Sequence, residues 1–238
     1  MKAVLLAAGK GERLGRITKA IPKPMLQILG NPIIMHNIEM CKNFGITDIY
    51  INLHYLHDVI TNYLGDGGEF GVSITYSQEK ELLGTAGGVK NFANELARDK
   101  FFVIYADTVY NYDLGVVYQE HCIKNADMSI VLFELDDVTQ SGVVFMDGNN
   151  LILDFIEKPK NELNSNWVNT GIYLMEPELL DLIPHGFCDF ATDIIPAFIK
   201  SKKNIYGVKM QSETLPIDTS MLYKKALETE SEFFNKEY

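Results

Sequence analysis

The chain has 238 residues, enough to bury a full core as one domain or as two packed lobes. Its 47% apolar and 22% charged residues are those of an ordinary folded protein, and a net charge of −11 argues against nucleic acid or an anionic membrane as a main partner. No apolar run is long enough to span a bilayer, and Cys41, Cys122 and Cys188, odd in number and far apart, read as buried thiols in a reducing cytosol.

Lys2–Ala8 reads as a continuous apolar strand, a core strand rather than a signal peptide because a basic loop follows it. That loop carries Gly9, Gly11, Arg13 and Gly15, then Lys19 and Lys23. The first 24 residues hold six basic side chains against one acid, Glu12, a local charge of +5 in an acidic chain. Glycines let backbone approach phosphate closely and the cations neutralise it, so the segment suits a small polyanion.

Beyond the loop, Ile34, Ile38 and Cys41 give helical spacing over 32–44, with Gly45 as the stop. Asp48–Leu53 is the next strand, Asp58–Leu64 a short helix ended by Gly65-Asp66-Gly67-Gly68, and Val72–Tyr76 a strand. Thr85 is expected to cap a helix reaching about Leu96, and Phe101–Tyr105 is a buried strand that ends at Asp107. Strands alternating with helices imply crossover units and a mainly parallel sheet. The second half changes character. Strand-like Asp127–Leu135, Gly142–Met146, Leu151–Glu157 and Val168–Met175 follow one another across short turns, which suggests antiparallel or mixed sheet. Helices are expected at 177–183 and 190–200, a strand at 205–210, and a last helix from about Thr219 to Phe234. That helix reads either as a dimer face or as a packed terminus. No repeat or linker interrupts the chain, so one continuous domain is expected, with an N-terminal nucleotide half to about residue 125 and a C-terminal half that completes the site.

The glycine loop is neither a dinucleotide fingerprint, since its third glycine falls one residue late, nor a P-loop, since no Gly-Lys-Ser/Thr is present. Its position after the first strand is the edge where open α/β sheets bind ligands. The segment LAAGKGERLGRITKAIPKP resembles the signature of sugar-1-phosphate nucleotidylyltransferases, a Gly-x-Gly-x-Arg loop followed by Pro-Lys-Pro. Further motifs come in that family's order: Leu83-Gly84-Thr85-Ala86-Gly87-Gly88, a strand ending in Asp107, Ile156-Glu157-Lys158-Pro159, Asn169-Thr170-Gly171 and Pro216-Ile217-Asp218-Thr219. The subtype looks closest to short bacterial mannose-1-phosphate or heptose-1-phosphate guanylyltransferase-like enzymes.

The resemblance implies a Rossmann-like, mixed but mainly parallel sheet flanked by helices, of the nucleotide-diphospho-sugar transferase type. It implies an enzyme that transfers a nucleoside monophosphate from an NTP to a sugar 1-phosphate, releasing pyrophosphate, with Mg2+. Partners would be these two substrates, with no nucleic acid and no membrane, in the cytoplasm. Arg13 and Lys23 would hold the NTP phosphates, Gly9 and Gly11 would donate backbone N–H groups, and Asp107 and Asp218 would be the metal pair. Lys158 resembles the sugar-phosphate lysine, Glu157 and Asn169 the hydroxyl readers, and Gly142 the glycine against which the ring rests. The family's Gly-Asp and Asp-Ile-Gly-Thr-Pro patterns are altered here, to Ala106-Asp107 and Ile217-Asp218-Thr219-Ser220, but both carboxylates remain.

Chemistry rather than motif suggests the base site, against Leu6, Ala7, Ala8 and Gly9 and the segment holding Gln78, Glu79, Gly84 and Thr85. An acceptor such as Glu79 suits guanine, so GTP is favoured over UTP, CTP and dTTP. Two other classes stay open. A glycosyltransferase would need an Asp-x-Asp motif, and Asp107-Thr108-Val109 lacks it. A silent nucleotide-sensing module is compatible with the altered surroundings of Asp218. Trp167, the only tryptophan, is expected to pack in the core.

Overall fold

The strand Lys2–Leu6 is where the architecture begins, with Ala3, Val4 and Leu5 all fully buried. A strand with no polar alternation needs cover on both faces, which parallel sheets provide. The computed structural model describes residues 1–161, 163–210, 214–215 and 217–235; Pro216, quoted in the last motif, and the side chain of Phe234 lie outside the described residues. The described residues cluster into two compact units, one drawn from Met1–Leu82, Ile104–Asp113 and Ser212–Tyr238, the other from Leu83–Val103 and Leu114–Gln211.

In the first unit Lys2–Leu6 pairs in parallel with Asp48–Leu53, which pairs in parallel with Ser73–Gln78. Helices Ile33–Asn43 and His57–Leu64 are the crossovers. The first strand stops at Leu6, short of the expected Ala8, because the Ala7 amide turns to the side chain of Asn52. Ala106 donates its amide to the Leu6 carbonyl at 3.1 Å, so Asp107 leaves the sheet beside the glycine loop. A short antiparallel ladder pairs Val109 with Leu215 and Tyr110 with Thr214. An apolar cluster of Leu14, Leu26, Ile28, Ile33, Val109, Leu215, Ile217, Ala226 and Phe233 ties the loop to the last helix, Ser220–Asn235.

The second unit is mixed, as the run of short strands suggested. Ile152–Glu157 pairs antiparallel with Gly142–Met146, Trp167–Met175 runs antiparallel to both Gly142–Met146 and Met128–Glu134, and Ile205–Lys209 adds in parallel to Met128–Glu134. Two corrections to the sequence reading fall here. Thr85 is not a cap: it sits inside the helix Gly84–Lys90, and its hydroxyl accepts from the Phe190 amide at 2.8 Å. Cys122 is exposed, whereas Cys41 and Cys188 are buried. The helix Leu114–Lys124 gave no sequence signal, because its buried stripe is narrow (Leu114, Val117, His121) and apolar Val116 and Ile123 face solvent. The 190–200 segment divides into a wide turn, Phe190–Ile194, and a helix, Ile195–Lys200.

The glycines of the Leu83–Gly88 motif have a packing reason within this unit. Gly84 has φ of +74°, and a Cβ there would lie 2.4 Å from the Cys188 carbonyl oxygen; a Cβ on Gly87 would lie 2.3 Å from that of Gly186. The Ala86 and Gly87 amides both donate to the Cys188 carbonyl, and Cys188 donates back to Leu83. Gly84→Ala is therefore expected to cost about 2–4 kcal/mol, from the left-handed backbone plus a clash with main chain that cannot yield, as measured by urea unfolding.

A buried network in the same unit sets a pH dependence. His121 is 1% exposed, with Nδ1 2.8 Å from Ser129 Oγ and Nε2 3.2 Å from Glu176 Oε1, which also pairs with Lys100 at 3.0 Å. Burial pushes the imidazole pKa below its ordinary 6.5, against the pull of Glu176. Below that pH the unfolded chain takes up a proton that the folded one refuses, so stability falls toward acid. The melting temperature is expected to drop from about pH 7.5 to about pH 5.5, and His121→Gln, though less stable at the higher pH, to lose less on acidification.

Candidate active site

The glycine loop folds as three short turns, Glu12–Leu14, Ile17–Lys19 and Lys23–Met25. Gly11 takes φ of +62°, and its carbonyl accepts from the Thr18 hydroxyl at 3.0 Å. A Cβ on Gly11 would press on Thr18 and on Lys23 Cβ, so this glycine lets the loop close over the lysine. Pro22 and Pro24 fix the backbone on either side, and Lys23 is 4% exposed.

Lys23 Nζ lies 3.0 Å from Asp107 Oδ2 and 2.7 Å from Asp218 Oδ1. Arg13 Nη2 approaches the same Asp218 oxygen at 3.4 Å from the solvent side. The four residues singled out for phosphate and metal chemistry thus meet around one ammonium. Burial alone would lower the Lys23 pKa, but the two carboxylates outweigh it and hold it above the ordinary lysine value. The last helix leaves Asp218 available for this contact, because Thr219 caps it instead: its hydroxyl accepts from the Leu222 amide at 3.2 Å.

Along the adjoining strand ends, Asn52 Oδ1 accepts from the Ala7 amide at 2.9 Å and Asn52 Nδ2 donates to Glu79 Oε1 at 2.8 Å. Glu79 is almost fully buried, and its amide bonds to the Leu53 carbonyl. Leu6, Ala7 and Ala8 are buried, while no atom comes within 4 Å of a Cβ built on Gly9. Gln78 is exposed, its Nε2 2.7 Å from His57 Nε2. Asn52 escaped the sequence reading; the signal was one amide in the otherwise apolar run Ile49-Tyr50-Ile51-Asn52-Leu53.

In the second unit, Glu157 pairs with Gly142 across two strands, and Asn169 lies next to them on the third. A Cβ on Gly142 would lie 2.4 Å from Phe155 Cζ and 2.9 Å from Glu157 Oε2, so the glycine makes room for both. Lys158 has φ of +45°, and its ammonium is 3.3 Å from Glu157 Oε1. Asn169 is fixed at both ends of its amide, accepting from the Gly171 amide and donating to the Tyr173 hydroxyl. Tyr173 packs at a tilt against Phe190, whose amide bonds Thr85, so Thr85 and Asn169 belong to one connected patch of this unit.

A family model described as nucleotidyl transferase matches residues 2–214. The chain belongs to the nucleotidyl transferase family. Among curated relatives, a UTP–glucose-1-phosphate uridylyltransferase of Synechocystis sp. is 37% identical over 95% of this chain and 62% of its own length. A mannose-1-phosphate guanyltransferase of Saccharomyces cerevisiae is 35% identical over 85% of this chain and 57% of its own. The chain thus spans about three-fifths of the length of these relatives. A solved structure of a putative glucose-1-phosphate thymidylyltransferase from Bacillus anthracis superposes with a TM-score of 0.86 at 27% identity, covering 100% of this chain and 97% of that one. HddC from Yersinia pseudotuberculosis, solved with GMP-PN, gives 0.81 at 27% identity, covering 96% and 98%.

In this member of the family the donor set suits a hard divalent cation. Two aspartate oxygens already converge on one positive charge, and Mg2+ typically takes one or two carboxylates plus substrate phosphates. Removing that charge leaves two facing carboxylates. Lys23→Met is expected to lower stability by about 1–3 kcal/mol, tempered because both aspartates reach solvent, as measured by urea unfolding at neutral pH.

Proposed function

We propose that the protein transfers a nucleoside monophosphate from an NTP to a sugar 1-phosphate, with GTP the favoured donor. The observation that carries this reading is the convergence of Lys23, Arg13, Asp107 and Asp218 beside a glycine loop at the carboxyl ends of parallel strands. A phosphate oxygen of the sugar phosphate attacks the α-phosphorus in line. The new P–O bond forms as the bond to the β-phosphate bridge oxygen breaks, and pyrophosphate leaves with the electron pair. The nucleophile is already anionic, so the reaction needs no general base; it needs positioning and charge neutralisation.

In this scheme the Gly9 and Gly11 amides donate to phosphate oxygens, Lys23 balances the triphosphate, and Arg13 steadies the departing pyrophosphate. Asp107 and Asp218 would hold Mg2+, which when bound neutralises phosphate charge. Lys158 would take the sugar phosphate as a single oxyanion contact, with Glu157 and Asn169 reading hydroxyls and Gly142 admitting the ring. Glu79 supports guanine: a carboxylate held by Asn52 next to the Ala7 amide is an acceptor for N1–H and the exocyclic amine. The GMP-PN in the related HddC structure agrees with that choice, whereas the uridylyl and thymidylyl relatives argue for testing every base.

Pyrophosphate release is to be measured for GTP, UTP, CTP and dTTP against mannose, glucose and heptose 1-phosphates with Mg2+. GTP is expected to react fastest, and no release with any pair would overturn the reading. Asp107→Asn and Asp218→Asn are each expected to lose about a hundredfold or more in kcat, because each weakens the hold on transferring phosphate, while still unfolding cooperatively at a modestly lower denaturant midpoint, since Lys23 keeps one carboxylate. Glu79→Gln is expected to lower kcat/KM for GTP about tenfold relative to UTP, by turning an acceptor edge partly into a donor.

A further inference from the structure

The strand registers of the second unit align five residues in one row on one face of its sheet. Glu157 is opposite Gly142, Asn169 lies beside Gly142 on the next strand, Asn169 is opposite Leu132, and Leu132 is opposite Lys209. Side chains alternate along strands, so Trp167 and Glu134, two positions from Asn169 and Leu132, share that face. The contacts agree: Glu157 Oε2 overhangs Gly142, and Leu132 and Met146 fill the space above Gly207 on the same side.

Three of these positions, Glu157, Gly142 and Asn169, are the ones the proposed function gives to the sugar. Lys209 continues their row and has no part in that scheme. Its side chain is exposed, yet its ammonium is held 4.7 Å from the centroid of the Trp167 ring. Among the described residues no carboxylate pairs with it: Glu134, on the neighbouring strand, takes its hydrogen bond from Asn166 Nδ2. Trp167, read from the sequence as a core residue, is only partly buried and serves as the platform for the lysine. An indole face orients a cation without neutralising it and leaves its N–H donors to another acceptor.

Asn169 and Lys209 are two strand spacings apart, about 9–10 Å between backbones. A ring seated on Glu157 and Asn169 would bring a substituent on its far side within reach of the Lys209 ammonium. We infer that Lys209, oriented by Trp167, reads an anionic substituent, carboxylate or phosphate, on the acceptor sugar away from its anomeric phosphate. Rejection of a neutral acceptor would follow from the same geometry, because a hydroxyl meets one hydrogen bond of an ammonium but none of its charge. This inference rests on the assignment of that face to the sugar. It narrows the acceptor from any sugar 1-phosphate to one that carries a second negative charge.

The test compares glucose 1-phosphate, glucuronate 1-phosphate and glucose 1,6-bisphosphate, and the corresponding mannose series, on the wild type, Lys209→Gln and Lys209→Glu. Both kcat/KM with the best NTP and binding by calorimetry with saturating nucleotide are measured. The wild type is expected to favour one charged acceptor over its neutral counterpart, and the uronate and bisphosphate arms tell carboxylate from phosphate. Lys209→Gln is expected to lower that preference about five- to tenfold through KM, as an ion pair at a half-open site allows, and to leave the neutral acceptor within about twofold. Lys209→Glu should reverse the preference. Trp167→Phe should keep it and Trp167→Ala weaken it, since phenylalanine retains a face for the cation. Equal use of charged and neutral acceptors by the wild type, or a preference that survives Lys209→Glu, overturns the inference while the nucleotidyl transfer itself stands. Loss of pyrophosphate release with every acceptor strikes the transfer reading instead.

Discussion

A buried ammonium between two carboxylates organises the first unit. Lys23 comes from the glycine loop, Asp107 from the end of an apolar strand, and Asp218 from the approach to the last helix. None of the three is near another in sequence, and each alone would be poorly placed: the lysine too buried, the aspartates too crowded. Their mutual charge makes the arrangement stable, unlike surface ion pairs, which add little, and it is this same charge that the proposed function turns to triphosphate and metal.

That contact depends on ordinary packing around it. The ladder between Val109 and Leu215 fixes the spacing of the strand end relative to the last helix, and the apolar cluster from Leu14 to Phe233 holds the loop against both. Thr219 caps the last helix, and Asp218, just before it, reaches Lys23. The motif around Asp218, Ile217-Asp218-Thr219-Ser220, therefore delivers the carboxylate to Lys23.

Much of this was legible in the sequence, for identifiable reasons. Asp48–Leu53, Phe101–Tyr105 and Gly142–Met146 were read to the residue because β-branched and aromatic runs were bounded by turn residues. Arg13, Lys23, Asp107 and Asp218 were picked out by motif, and the structure brings them together. What escaped was tertiary. The helix Leu114–Lys124 presents apolar residues to solvent and a histidine to the interior, which blurs its periodicity. Asn52 looked like one polar residue in a strand, and only folding sets it between Ala7 and Glu79. Gly84 was read as bringing backbone close to the base, whereas the tightest neighbours of Gly84 and Gly87 are the carbonyls of Cys188 and Gly186. The row from Glu157 to Lys209 exists only once four strand registers are known.

The apolar cluster that carries the glycine loop is closed by Leu215, Ile217, Ala226 and Phe233, contributed by the far end of the chain. These partners lie roughly two hundred positions from Leu14, Leu26, Ile28 and Ile33, so the cluster closes through contacts of high sequence separation, and the loop's seating belongs to the slow, non-local part of folding.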